Sequence, residues 1–84
     1  METITLNDGT EIRGHCIEDD QNLFVYLDKM KLTDAFMLFS NPDRTRRITE
    51  DNHGNEHIYE GYTEIYAINA QNGNSNLTMR RTRG

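Results

Sequence analysis

The residues of this chain best suited to chemistry are its carboxylates, its tyrosines and its three histidines. The most informative run is Glu60-Gly61-Tyr62-Thr63-Glu64-Ile65-Tyr66. Read as an extended strand of period two, it places Glu60, Tyr62, Glu64 and Tyr66 on one face. Alternating carboxylates and tyrosines suit a protein-binding surface, because tyrosine is enriched at interface cores and acids steer a basic partner. The structural alternative puts the tyrosines half-buried over a helix and the acids along a sheet edge. The polar turn Glu18-Asp19-Asp20 supplies a second acidic cluster and ranks second as a partner-binding segment.

Catalytic and metal chemistry finds little support in the residues. His53 and His57 are four apart, a zinc spacing on a helix, but Gly54 and Asn55 between them read as a loop. His15 and Cys16 are the soft ligands elsewhere, and neighbours in a strand point to opposite faces. Cys16 shares a face with Ile12 and Gly14 and reads as a small buried thiol, not as a nucleophile. The acid pairs Glu50-Asp51 and Glu60 with Glu64 lie beside no phosphate loop. There is no nucleophile elbow, Walker or dinucleotide fingerprint. The expectation is a protein that is not an enzyme, with no catalytic residues, no metal and no cofactor.

Composition narrows the partner. The 84 residues carry 9 Lys plus Arg and 14 Asp plus Glu, a formal net charge of -5. Residues 1–43 hold nine acids against Arg13, Lys29 and Lys31, whereas residues 44–84 hold six arginines against five acids. Direct nucleic-acid binding needs a net basic surface, so a basic protein is the expected partner. Arg44, Arg46 and Arg47 are expected to pair with surface acids. No apolar run reaches the ~20 residues of a membrane span. Met-Glu-Thr-Ile-Thr lacks the basic start and apolar core of a signal peptide. One cysteine cannot make an intramolecular disulfide. The expected compartment is reducing and intracellular, the cytoplasm.

The elements that must position these residues are mostly strands. A chain of this length makes one domain, 1–84, with a thin core. Thr3 to Leu6 and Thr10 to Cys16 alternate around Asn7-Asp8-Gly9, a hairpin signal. Ile17 falls out of phase, the mark of a bulge or a strand end. Leu23 to Asp28 is apolar or aromatic on both faces, as a central strand is. Leu32 to Ser40 reads as a helix capped by Thr33, burying Leu32, Ala35, Phe36 and Phe39, and Asn41-Pro42 ends it. Asp43-Arg44-Thr45 can add a turn.

Arg46 to Glu50 is a short strand and Asp51 to Glu56 a polar loop. Residues 57–69 form a long strand with a bend near Gly61 or a bulge near Ala67. Asn72-Gly73 turns into a last strand, Asn76 to Arg81, with Leu77 and Met79 inward, and 79–84 reads as a frayed tail. The expected core is Ile4, Leu6, Ile12, Leu23, Val25, Leu27, Phe36, Phe39, Ile48, Ile65, Ile68, Leu77 and Met79. The expected fold class is α+β: a strongly bent antiparallel sheet, or a partly open small barrel, of five to six strands with one short helix.

Two resemblances add context. Leu6-x-Asp8-Gly9 through Gly14, with Asp19, Asn22 and Leu23 to Asp28, resembles the first half of an Sm-like small β-barrel. The Asp-to-Asn spacing is one short and the family's second motif is not evident near Leu77, so the bent barrel is implied and RNA binding is not. Over most of the chain, Leu-Asn-Asp-Gly-Thr-Glu-Ile-Arg-Gly (6–14), Leu-Phe-Val-Tyr-Leu-Asp (23–28), Leu-Phe-Ser-Asn-Pro-Asp-Arg-Thr (38–45) and Tyr-Glu-Gly-Tyr-Thr-Glu-Ile (59–65) resemble small uncharacterised phage and prophage proteins of Firmicutes.

That resemblance implies an inhibitor of host defence, foremost an anti-CRISPR protein bound to a CRISPR nuclease, or a virion or tail-assembly accessory protein. An acidic inhibitor can occupy a nuclease's basic channel as a substrate mimic. Homo-oligomers fit the accessory reading. A third reading, an oligomeric sponge for a nucleotide signal, needs a pocket between subunits.

Overall fold

In the computed structural model, which describes residues 2–81, the chain forms seven strands and two short helices. The strands are β1 (Thr3–Thr5), β2 (Glu11–Glu18), β3 (Asn22–Leu27), β4 (Arg47–Asn52), β5 (Asn55–Glu60), β6 (Glu64–Gln71) and β7 (Asn74–Arg80). Helices α1 (Leu32–Phe39) and α2 (Pro42–Thr45) join β3 to β4. All pairings are antiparallel, in one unclosed sheet of order β5-β4-β1-β2-β3-β7-β6. The expected antiparallel, unclosed sheet is present; the strand count of five or six and the single helix are corrected.

The extra strand comes from local backbone chemistry. Asp51 to Glu56 is a hairpin and not a loop: His53 and Gly54 take φ of 52° and 86°, and the Asp51 carboxylate accepts the Gly54 N–H at 3.0 Å. Two successive positive φ values match the twist of tight hairpins. Residues 57–69 are not one strand, because Gly61 turns the chain at φ 86° and its N–H donates to the Arg46 carbonyl at 3.0 Å. The register shift expected near Ala67 is present between Ile65 and Ala67. Asn72 and Gly73, both at positive φ, make the β6–β7 turn.

Strand β2 holds the two halves of the sheet together. Its first part, Glu11 to Arg13, pairs with β1, and its second part, Gly14 to Glu18, pairs with β3. At the changeover a Cβ on Gly14 would lie 2.1 Å from the Tyr26 carbonyl oxygen. Only glycine allows the two backbones to approach so closely. No bulge interrupts β2; Ile17 is the ordinary outward residue and is exposed.

The sheet must curl. Seven flat strands at about 4.8 Å spacing would hold the outermost pair roughly 29 Å apart. Those outermost strands, β5 and β6, are joined only by Gly61, Tyr62 and Thr63. Four residue steps, from Glu60 to Glu64, span at most roughly 14 Å. The connection therefore pulls the two ends of the sheet toward each other at one corner and encloses the core.

Ile4, Leu6, Leu23, Val25, Leu27, Phe39, Ile48, Leu77 and Met79 fill that core as expected, with Ile12, Ile65 and Ile68 partly buried against it. Phe36 is corrected: it is 52% exposed, and Leu32 is exposed as well, so α1 buries only Ala35 and Phe39. The N-cap of α1 is Lys31 rather than Thr33 and makes no side-chain cap bond. Asn41 caps α2 by accepting the Asp43 N–H at 3.0 Å. The expected frayed tail begins too early. Met79 is fully buried and Arg80 is paired in β7, while residues 82–84 lie outside the described residues.

One buried carboxylate ties the curled halves. Glu50 on β4 is 5% exposed and accepts the Cys16 N–H of β2 at 2.7 Å and the Tyr59 hydroxyl of β5 at 3.1 Å. It takes the place of a strand partner for β2 beyond the end of β1. A hydrogen bond shared with Glu50 is the main cause that holds the Glu2 carboxyl above its ordinary value, with desolvation adding to it. Burial, then the charge of Glu50, pushes the Cys16 thiol up, which leaves it unreactive.

Two predictions test these joints. Gly14→Ala should cost about 3 kcal/mol in urea unfolding, because carbonyl and methyl cannot share the space. Glu50→Ala strands a buried N–H and should cost about 2 kcal/mol, with Glu50→Gln milder because it keeps an acceptor. The sign of the pH effect follows from Glu2. Its pKa is raised on folding, so its stabilisation is full below the ordinary 4.5 and is lost as pH rises through the raised value. In Glu50→Gln, carboxyl NMR titration should find Glu2 moved back toward 4.5.

Candidate functional site

The corner that pulls the sheet together also gathers the acidic residues singled out by sequence. Glu18 ends β2, and Asp19 and Asp20 form the turn to β3. Glu60 ends β5, and Glu64 opens β6 across the three-residue connection. The Tyr62 hydroxyl, within that connection, donates to the Glu18 carboxylate at 2.5 Å. Two acidic segments more than forty positions apart thus meet at one place. All five carboxylate residues are exposed.

The expected shared face of Glu60, Tyr62, Glu64 and Tyr66 is corrected. The period-two reading fails because the strand breaks at Gly61, leaving Glu60 and Glu64 on the two opposite edge strands. Tyr62 is 1% exposed and plugs the end of the core, so its ring is not offered to a partner. Tyr66, at the β6 bulge, is 61% exposed. The acids do line sheet edges, as in the structural alternative, but only Tyr62 of the two tyrosines is buried.

Sequence reasoning left Arg80 and Arg81 without a role, and they organise the corner. The Arg81 guanidinium lies 3.7 Å from the Glu18 carboxylate, donates to the Glu60 carbonyl at 3.2 Å, and stacks over Tyr62 at 4.5 Å. Arg80 lies 3.3 Å from the centre of the Tyr66 ring, donates to the Asn22 side-chain oxygen at 2.9 Å, and stands opposite Glu64. Arginine suits both tasks, since its planar fork stacks and donates in one plane. The period-two pattern of β7, with Leu77 and Met79 inward, was the available signal that Arg80 continues the strand outward.

The turn is built to stay charged. The Asp19 carboxylate accepts the Gln21 N–H at 2.9 Å and the Asn22 N–H at 2.7 Å. These backbone bonds, Gln21 first, hold its pKa below the ordinary value. Burial, then the bond to Glu18 and its charge, pushes the Tyr62 phenol up to about 12. Five carboxylates against two guanidiniums leave the corner acidic, with the Glu18 and Asp19 carboxylates already held in place.

The other candidates are dispersed. His53 sits at the β4–β5 turn, His57 is exposed on β5, and His15 stacks on Tyr26 in β3. Arg44 and Arg46 pair with Asp8 and Asp43 at 3.0 and 2.8 Å, as expected of surface arginines.

Tyr62→Phe removes a hydrogen bond to a carboxylate and should cost about 1–2 kcal/mol in thermal or urea unfolding. Because folding raises the Tyr62 pKa, its contribution is complete below the ordinary 10.0 and is lost as pH climbs toward about 12. The alkaline loss of stability should be shallower in Tyr62→Phe than in the parent protein.

No family model, no curated protein and no solved structure matches this chain.

Proposed function

We propose that this chain is a non-enzymatic binding module whose acidic corner docks on the basic surface of a protein partner. The observation that carries this reading is the convergence of Glu18, Asp19, Asp20, Glu60 and Glu64 around the Tyr62–Glu18 bond. The hydrogen bonds that already order Glu18 and Asp19 lower the entropy cost of binding through them. A net charge of -5 speeds encounter with a basic surface. Exposed Tyr66 beside the cluster supplies the kind of aromatic contact that interfaces favour.

The basic surfaces of a cell are largely those that hold nucleic acid. The resemblance to small phage proteins makes a host-defence nuclease of a CRISPR system the partner of first choice, with the corner standing in for phosphates. A virion or tail-assembly accessory is the second reading. It is favoured by the exposed apolar residues Leu32, Phe36 and Met37 on α1, which neighbouring subunits of an assembly would cover.

The test is affinity capture of the tagged protein from phage-infected bacterial lysate, with and without competing DNA. A nucleic-acid-binding host protein should elute, and DNA should displace it. Glu60→Lys with Glu64→Lys should weaken that complex at least about tenfold at low salt, and less at about 0.2 M salt. Capture of virion subunits alone, or binding unchanged by the double reversal, overturns the assignment.

A further inference from the structure

A second surface lies on the outer face of the β2-β3-β7-β6 half. In these strands Cys16, Val25, Leu27, Ser75 and Leu77 face the core, so their alternates face out. The register lines up His15, Tyr26 and Asn76 across β2, β3 and β7. Arg13, Asp28 and Gln71 lie alongside, and together they bound an open groove of about 600 Å³. That volume lies within the range of small-molecule sites.

The lining selects a chemical class. The His15 and Tyr26 rings stack at 4.7 Å and 18°, and Tyr26 keeps 36% of its surface exposed. The stack covers one face of Tyr26 with His15 and leaves the other, on the Asn76 side, for the apolar face of a ring. Around it stand the side-chain amides of Gln71, Asn72, Asn74 and Asn76, brought to one rim by the Asn72-Gly73 turn. The Asn74 oxygen is held by the Lys29 N–H at 2.9 Å, which aims its amide donors. Amides offer donors and acceptors side by side, the complement of hydroxyl groups. Arg13 is set against two lining carboxylates, Glu2 and Asp28, so a phosphate or other polyanion is disfavoured.

We infer that this groove is a saccharide-binding site, in which a sugar ring packs on Tyr26 and its hydroxyls bond to the Gln71 and Asn76 amides and to Asp28. The site is independent of the acidic corner and adds a small-molecule ligand to a protein-binding module.

The test is amide NMR of the full chain titrated with a panel of neutral hexoses, N-acetylhexosamines and their disaccharides, up to about 10 mM, with adenosine as the aromatic control. Saturable shifts should appear at residues 13–15, 26–28 and 71–76 with at least one sugar. Tyr26→Ala and Gln71→Ala should each weaken binding at least about tenfold. Gln71 is exposed, so its variant folds and keeps the test valid if Tyr26→Ala does not. Tighter binding of a disaccharide than of its monosaccharide identifies a polysaccharide chain as the source, and equal binding identifies a free sugar. No saturable shift with any sugar, shifts away from the groove, or binding of adenosine alone overturns the inference.

Discussion

Three residues, Gly61 to Thr63, join the two strands that stand farthest apart in the sheet order. A flat sheet cannot satisfy that connection, and the remaining features follow from it. The sheet curls until its ends meet, which gives a chain with few apolar residues an enclosed core. Curling needs a place where strand backbones crowd, and Gly14 supplies it. It also opens a gap where β2 outruns β1, and the Glu50 carboxylate fills that gap. Tyr62 then seals the end of the core that the connection draws shut.

Much of this was legible in the residues. The Asn-Asp-Gly and Asn-Gly turns, the central β3 with apolar residues on both faces, the bend at Gly61 and the core positions of β1, β3 and β7 are all local signals. What could not be read depends on pairing between distant segments. Nothing near Tyr62 tells that Glu18 will accept its hydroxyl, so a buried plug reads either as part of an open strand face or as half-buried over the helix. Glu50 reads as a surface acid because its partners, Cys16 and Tyr59, come from two other strands. Phe36 follows a helical stripe, yet α1 rests on the sheet through buried Ala35 and Phe39 and partly buried Leu38, and leaves Phe36 exposed. The acidic residues stand out by type in the sequence, but the place where they meet is set by the sheet order.

The same geometry separates two kinds of surface. The corner carries net negative charge, with Glu18 and Asp19 held by hydrogen bonds and two arginines stacked on tyrosine rings. The outer face of the β2-β3-β7-β6 half carries aromatic rings and amides, with charge nearly balanced. A single thin sheet can display both because its interior face, with α1 and Tyr62, supplies the core.

The place of β7 has a consequence for biosynthesis. This strand lies between β3 and β6, pairing Asn22 with Arg80, and it brings Leu77, Met79 and Arg80, with Arg81 directly after it. A nascent chain emerging from the ribosome can form the β1–β2 and β2–β3 hairpins early. It cannot complete the sheet until residue 80 has been made and has cleared the exit tunnel. Until then β3 and β6 both expose open edges and unburied apolar side chains, the surfaces on which chaperones act.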